Sequence, residues 1–150
     1  MPLFTAVARK STKSALLAAA VLIMIGGAPA VAAPVTLTAT LGGGNETGGG
    51  SAEGSGTFKV EADGETGDFC YTLTAAKIGT ASAAHLHSGA AGSDGDVVVP
   101  LAVTGAGSDE CVAMEPAKLK PILADPASYY INVHTAEFPK GAIRGQLTKP

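Results

Sequence analysis

The residues best suited to chemistry in this chain are its three histidines. His85 and His87 lie two residues apart, and His134 is the third. Residues two apart on a β-strand leave the same face, so we expect the first two imidazoles to lie side by side. Imidazole nitrogens are good ligands for copper and zinc, which need three or four donors at about 2.0–2.1 Å. The spacing indicates a metal site if the fold brings His134 to that face.

The segment around His134 has the alternation that such a site requires. In residues 130–135, Ile131 and Val133 point to one face of a strand, and Asn132 and His134 point to the other. We therefore predict a site for one copper or zinc ion, formed by His85, His87 and His134, with an open fourth position that suits a catalytic or exchangeable ion. The alternatives are histidines that only hydrogen-bond to loop backbone, and imidazoles that sense pH because they titrate near about 6.5.

Charged residues close to the histidines in sequence are further candidates. Asp94 and Asp96 lie in the glycine-rich loop after the His-x-His pair, where they can bind Ca²⁺ or orient a histidine, although we favour ordinary turn chemistry. Glu137, three residues after His134, is a candidate fourth metal ligand or a group that orients one of the ligands. Arg144 is either a buried structural partner of a carboxylate, which we favour, or a charge that steers anions toward the site.

The N-terminus has the pattern of a cleaved signal peptide. Three basic residues precede an apolar run at residues 15–25, and small residues follow it. Cleavage is expected after Ala32, or alternatively after Ala30. An uncleaved anchor is less favoured, because a membrane span needs about 20 apolar residues. We predict a signal at residues 1–32 and one exported domain at residues 33–150, periplasmic or extracellular.

The exported part is acidic. Residues 33–150 hold seven basic and thirteen acidic residues, a net charge of −6. This charge argues against nucleic acid or an anionic membrane surface as the main partner. No membrane span is predicted after signal cleavage, and a protein partner or homo-oligomer is left open.

Two cysteines remain in the exported part, Cys70 and Cys111. An even count in an oxidising compartment favours one disulfide, and both residues lie in strand-like segments that the bond would join. A dithiolate metal site is the alternative. We favour the disulfide because the chain has no C-x-x-C spacing.

The remaining sequence predicts short strands separated by turns. Residues 42–56 form a glycine-rich loop expected to be mobile, and the apolar run at residues 97–101 is expected to be covered on both faces. Residues 116–126 are the one helix-like piece, with Pro121 limiting it to one or two turns. This pattern is typical of an antiparallel sandwich or barrel. The predicted strands are residues 35–41, 57–62, 69–75, 82–88, 97–101, 110–113, 129–135 and 142–147.

Two of these segments resemble a known family. Residues 84–87 with the following glycine-rich loop and residues 97–101 are similar to the central motif of CHRD (chordin-type) domains. Residues 130–135 and 141–147 are similar to the C-terminal motif of that family. The resemblance covers essentially all of residues 33–150. It departs from the family pattern after Leu41, where the usual proline is missing.

The resemblance implies an exported all-β protein with a Greek-key, immunoglobulin-like sandwich like that of superoxide dismutases. It does not assign a reaction, because fold alone does not fix function. Three hypotheses follow: a metal-binding protein, a copper-dependent redox enzyme such as a superoxide dismutase, or a non-enzymatic envelope or matrix interaction module with structural histidines. Three histidines are too few for a bridged two-metal centre, so a redox site would hold one ion.

Overall fold

A computed structural model describes residues 33–150 as eight strands and one α-helix. The predicted signal peptide and its cleavage sites lie outside the described residues. Within that range, no helix is both long enough and apolar enough to cross a membrane. The strands are β1 (Val35–Gly42), β2 (Ser55–Ala62), β3 (Asp68–Ala76), β4 (Ala81–Ser88), β5 (Val97–Leu101), β6 (Glu110–Ala113), β7 (Tyr129–Thr135) and β8 (Ile143–Gln146), and the helix is α1 (Pro116–Ala124).

All eight strands belong to one antiparallel sheet with the order β5-β4-β7-β8-β1-β2-β3-β6. The sheet curls, so that the chain after β5 reaches β3. There the backbone N–H of Ala102 donates to the Tyr71 hydroxyl over 2.8 Å, and that of Thr104 donates to the Leu73 carbonyl over 3.0 Å. The predicted antiparallel, sandwich-like all-β fold with one short helix is confirmed. The likeness to superoxide dismutases stays a prediction.

The core fills the concave face of this curled sheet. Alternate residues of the strands point inward, as the period-two pattern predicts. Phe58, Phe69 and Tyr71 pack together with ring centroids 5.6–6.2 Å apart. Helix α1 adds Leu119 and Ile122 to the same core. The sequence predicted one or two helical turns, limited by Pro121. The helix instead continues through Pro121 for nine residues in all, because its buried apolar residues lie on both sides of that proline.

The prediction that residues 97–101 are covered on both faces is wrong. Strand β5 lies at the edge of the sheet and pairs only with β4. Val97 is 52% exposed. Pro100 suits this position, because proline cannot donate a hydrogen bond to a further strand. A continuous apolar run is also typical of a buried strand, and periodicity does not separate the two cases.

The predicted disulfide lies at the opposite edge of the sheet, where it joins strand β3 to the edge strand β6. Cys70 and Cys111 are direct partners across β3 and β6, and they are 41 residues apart in sequence. Closing a loop of this length restricts the unfolded chain. We therefore expect the free energy of unfolding of the double variant C70S/C111S to be about 2–4 kcal/mol lower than that of the oxidised protein. Denaturant unfolding of the variant and the oxidised protein measures the difference. Coincident transitions would show that the bond does not stabilise the fold.

Candidate metal centre

Strands β4, β7 and β8 carry a polar cluster on the convex face of the sheet. Across β4 and β7, His85 pairs with Asn132 and His87 with Tyr130. The same register places Ala83 opposite His134, and a β-bulge follows only beyond that pair, between Ala81 and Ala83. Because Ala83 has only a methyl side chain, the His134 imidazole has room to lean across the strand toward His85. The register therefore brings all three histidines to one face, as the alternation predicted.

The three imidazoles converge closely enough to share one ion. One ring nitrogen from each of His85, His87 and His134 lies within 4.8 Å of the other two. His85 Nδ1 and His134 Nε2 are 3.0 Å apart. Two ligands at about 2.0–2.1 Å from a common ion are about 2.9–3.4 Å apart in square-planar or tetrahedral geometry. The spacing of this pair already matches that of neighbouring metal ligands.

Backbone carbonyls fix which nitrogen of two histidines carries the proton. His87 Nδ1 donates to the Gly95 carbonyl over 2.8 Å, and His134 Nδ1 donates to the Pro139 carbonyl over 3.2 Å. A carbonyl only accepts hydrogen bonds, so the neutral rings keep their lone pairs on Nε2. This tautomer leaves both Nε2 atoms as donors to a metal. His134 Nε2 accepts a hydrogen bond from His85 Nδ1.

His87 is the most enclosed of the three histidines. Its ring stacks on Tyr130 with centroids 4.8 Å apart and an interplanar angle of 2°. The Gly95 carbonyl holds its other side, and its Nε2 is buried with no hydrogen-bond partner among the described residues. Buried polar atoms are normally satisfied, so a lone pair without a partner points to a group that binds it.

Burial favours the neutral form of two imidazoles. It lowers the pKa of His85, with further lowering from the charges of His134 and His87. It also lowers the pKa of His134, although the hydrogen bond to Pro139 opposes the effect. The rings therefore stay unprotonated near neutral pH, which is the form that binds metals.

These pKa shifts predict a defined pH dependence. The folded protein binds fewer protons than the unfolded chain once the pH falls below the unfolded histidine pKa of about 6.5. Stability is therefore lost as the pH drops from about 6.5 through the lowered folded values. Zinc affinity should be nearly constant from about pH 7 to 8 and fall by more than about tenfold per unit once several imidazoles protonate. Calorimetric titration between pH 5 and 8 measures this, and a flat profile would contradict it.

A buried ion pair lies beside the histidines and ties two loops to the sheet. Arg144 Nε donates to Glu46 Oε2 over 2.9 Å, and the two side chains are only 4% and 3% exposed. The other guanidinium nitrogens donate to Ser93 O over 3.1 Å and to Asp94 Oδ1 over 2.7 Å. The guanidinium also lies 4.1 Å from the Tyr130 ring centroid. These contacts are those of a structural partner for carboxylates, the role that we favoured over anion steering.

Glu46 is the residue of this cluster that the sequence reasoning missed. The loop at residues 42–56 was predicted to be mobile, but Glu46 and Ser51 are buried in it and Asn45 donates to the Arg144 carbonyl over 2.9 Å. Burial raises the pKa of Glu46, and Arg144 opposes that rise. The glycine-rich run holds two acidic residues, Glu46 and Glu53, and nothing in the sequence indicates which of them is buried. The partner of Glu46 is 98 residues away and could not be read from spacing.

The other acidic candidates do not join the histidines. Asp94 bonds Arg144 and Thr47, and the Arg144 hydrogen bond lowers the pKa of the Asp94 carboxyl. Asp96 and Glu137 are exposed, and neither belongs to the three-histidine group. The Gly95 carbonyl, not a neighbouring carboxylate, orients His87. The loop therefore holds the histidine through its backbone.

A pocket of about 530 Å³ opens beside the three-histidine group. His87 and His134 reach it from the sheet, Asn132 lies between them, and Lys140 lines it from the β7–β8 turn. Two glycine-rich loops form the opposite wall. His87 and His134 are therefore reached from solvent through this pocket, and a group bound to them has space for a further small ligand.

The family of the chain follows from comparison with known proteins. The model of the CHRD domain matches residues 37–147, a range that contains all three histidines, both cysteines and Arg144. Comparisons with curated proteins and with solved structures gave no match. The predicted resemblance is confirmed, and the chain belongs to the CHRD domain family.

Proposed function

We propose that this CHRD domain binds one transition metal ion, copper or zinc, through His85, His87 and His134. The observation that carries the proposal is the convergence of three imidazole nitrogens within 4.8 Å of one another. Imidazole is a good ligand for both metals, and three such ligands on rigid strands leave a further position for an exchangeable group. The fixed tautomers of His87 and His134 support the same function, because both rings present an unprotonated Nε2.

We also propose that the protein is exported and acts outside the cytoplasm. The basic and apolar pattern at residues 1–32 supports export. The disulfide between Cys70 and Cys111 supports it independently, because such bonds persist mainly in oxidising compartments. Mass spectrometry of the mature protein tests this, with a first residue of Ala33 expected, or Val31 for the alternative cleavage. A mature protein that begins at Met1 would contradict it.

The metal-binding proposal is tested by measuring how much metal the protein retains. Protein made without a histidine tag is dialysed against zinc or copper, and the metal is quantified per chain. We expect one equivalent for the wild type and none for His85→Ala under the same dialysis. An empty wild type would contradict the proposal. Equal retention by the two proteins would show that the metal is bound elsewhere.

A redox reaction at a bound copper ion is a second candidate function. The pocket beside His87 and His134 favours it, because a small substrate can approach the ion through that opening. Superoxide removal by the copper-loaded protein is compared with that by the same concentration of free copper. A rate no higher than free copper rejects the enzyme and leaves the metal-binding function.

If the protein binds neither metal, the remaining hypothesis is an envelope or matrix interaction module. In that case the histidines only hold the loops at Gly95 and Pro139.

A further inference from the structure

Asn132 lies at the centre of the polar face that the histidines occupy. It is directly opposite His85 on one side and Arg144 on the other. Along its own strand, Tyr130 and His134 are the neighbours on the same face. Side chains directly opposite each other in an antiparallel pair have Cβ atoms about 4.5–5.5 Å apart. The amide group is therefore next to two of the three proposed ligands.

The amide oxygen of Asn132 has no partner in this crowded position. The residue is 1% exposed, and its Oδ1 is buried without a hydrogen bond among the described residues. Arg144, its partner across β7 and β8, directs its hydrogen bonds to Glu46, Ser93 and Asp94 and gives none to this oxygen. Such an oxygen is unfavourable unless something that the protein binds satisfies it.

A second unpartnered acceptor lies on the same face. His87 Nε2 is also buried without a hydrogen bond, and His87 is the diagonal neighbour of Asn132 across β4 and β7. Both atoms are electron-pair donors, and the neighbouring His134 Nε2 is a third. A cation can accept all three lone pairs at once, whereas a water molecule can donate to only two of them.

We propose that Asn132 Oδ1 is a ligand of the ion held by His85, His87 and His134. This inference rests on the metal-binding function proposed above and extends it from three nitrogens to three nitrogens and one oxygen. An amide oxygen is a hard ligand that contributes little to a soft monovalent ion. The site therefore selects a divalent ion, Zn²⁺ or Cu²⁺, over Cu⁺.

The test compares two replacements of Asn132 with a control. Asn132→Leu keeps the approximate volume and removes the oxygen, whereas Asn132→Asp keeps an oxygen and adds a negative charge. The control is Thr80→Leu, which introduces leucine at an exposed polar residue outside the pocket and outside the loops that line it. Zn²⁺ affinity is measured by competition with a chromophoric chelator, Cu⁺ affinity by the same method without oxygen, and coordination by the visible spectrum of the Co²⁺-loaded protein.

We expect Asn132→Leu to bind Zn²⁺ at least about tenfold more weakly, with Cu⁺ affinity nearly unchanged and an altered Co²⁺ spectrum. Asn132→Asp should bind Zn²⁺ at least as tightly as the wild type, also with an altered spectrum. Thr80→Leu should match the wild type in all three measurements. A merely structural role for Asn132 would instead weaken Zn²⁺ and Cu⁺ binding together.

Wild-type Zn²⁺ affinity and an unchanged Co²⁺ spectrum in Asn132→Leu would overturn the inference and leave the three-histidine site standing. An equal loss of Zn²⁺ and Cu⁺ affinity would overturn it as well. If Asn132→Leu does not fold, Asn132→Asp decides, and an unchanged spectrum in that variant rejects oxygen ligation. A wild-type protein that binds no metal would reject the proposed function itself.

Discussion

Replacing His134 with alanine is expected to lower zinc affinity at least about 100-fold. The variant loses one of three converging imidazoles and also the group that holds the His85 ring in place over 3.0 Å. Loss of a group that only supports a metal ligand typically costs 10–100-fold, and loss of a ligand costs more. Competition against a chelator of known zinc affinity measures the change. The free energy of unfolding of the metal-free variant should fall by only about 1–2 kcal/mol, since it loses two hydrogen bonds, with His85 and with the Pro139 carbonyl, at a half-buried position.

Glu137→Ala is the matched control for this variant. Glu137 follows His134 on the same turn, is exposed, and lies outside the three-histidine group. Its zinc affinity should equal that of the wild type. If Glu137→Ala weakens zinc binding as much as His134→Ala does, the Glu137 carboxylate is a ligand, which contradicts a site that excludes it. If neither variant weakens binding, the histidine site is wrong.

The second large effect is expected from Arg144→Met. This change removes the charge that compensates Glu46 and leaves a carboxylate that is 3% exposed beside an apolar side chain. Breaking a buried ion pair by removing one partner typically costs about 3–5 kcal/mol, because the other charge stays buried. It also releases Ser93 and Asp94, so the loop over His87 loses its anchor. Denaturant unfolding measures the stability, and a loss of zinc affinity should accompany it.

Two comparisons separate this explanation from a general effect of losing a cation. Lys59→Met removes one member of the exposed Lys59–Glu61 pair, and we expect a change below about 0.5 kcal/mol. Adding Glu46→Gln to Arg144→Met should recover part of the lost stability, since no buried charge then remains. A double variant less stable than Arg144→Met alone would show that the carboxylate does not account for the loss.

The alternation of apolar residues was enough to predict most of the sheet. Strands β5, β6 and β7 begin and end where the sequence predicts, and the others differ by one or two residues at their ends. The same alternation correctly placed Asn132 and His134 on one face. Each of these predictions depends only on near neighbours in sequence, where the period of a strand is a strong constraint.

The features that the sequence did not predict depend on which segments meet. The edge position of β5 is a property of strand order, and an apolar run carries no information about it. Glu46 lies in the loop between β1 and β2, and its burial depends on an ion pair with Arg144, which lies on β8. Asn132 was placed on the correct face but received no role, because its significance comes from a missing partner that only the packed structure reveals.

The central claim, that all three histidines hold one ion, is tested most directly by NMR of the imidazole nitrogens. The chain has only three histidines, so an untagged protein labelled with ¹⁵N gives three ring systems to follow during a zinc titration. We predict that the nitrogen chemical shifts of all three rings change together and stop changing at one equivalent of zinc. In His87 and His134, the nitrogen that binds the metal should be Nε2. A titration in which any ring keeps its metal-free shifts, or in which shifts continue beyond one equivalent, would contradict the three-histidine site.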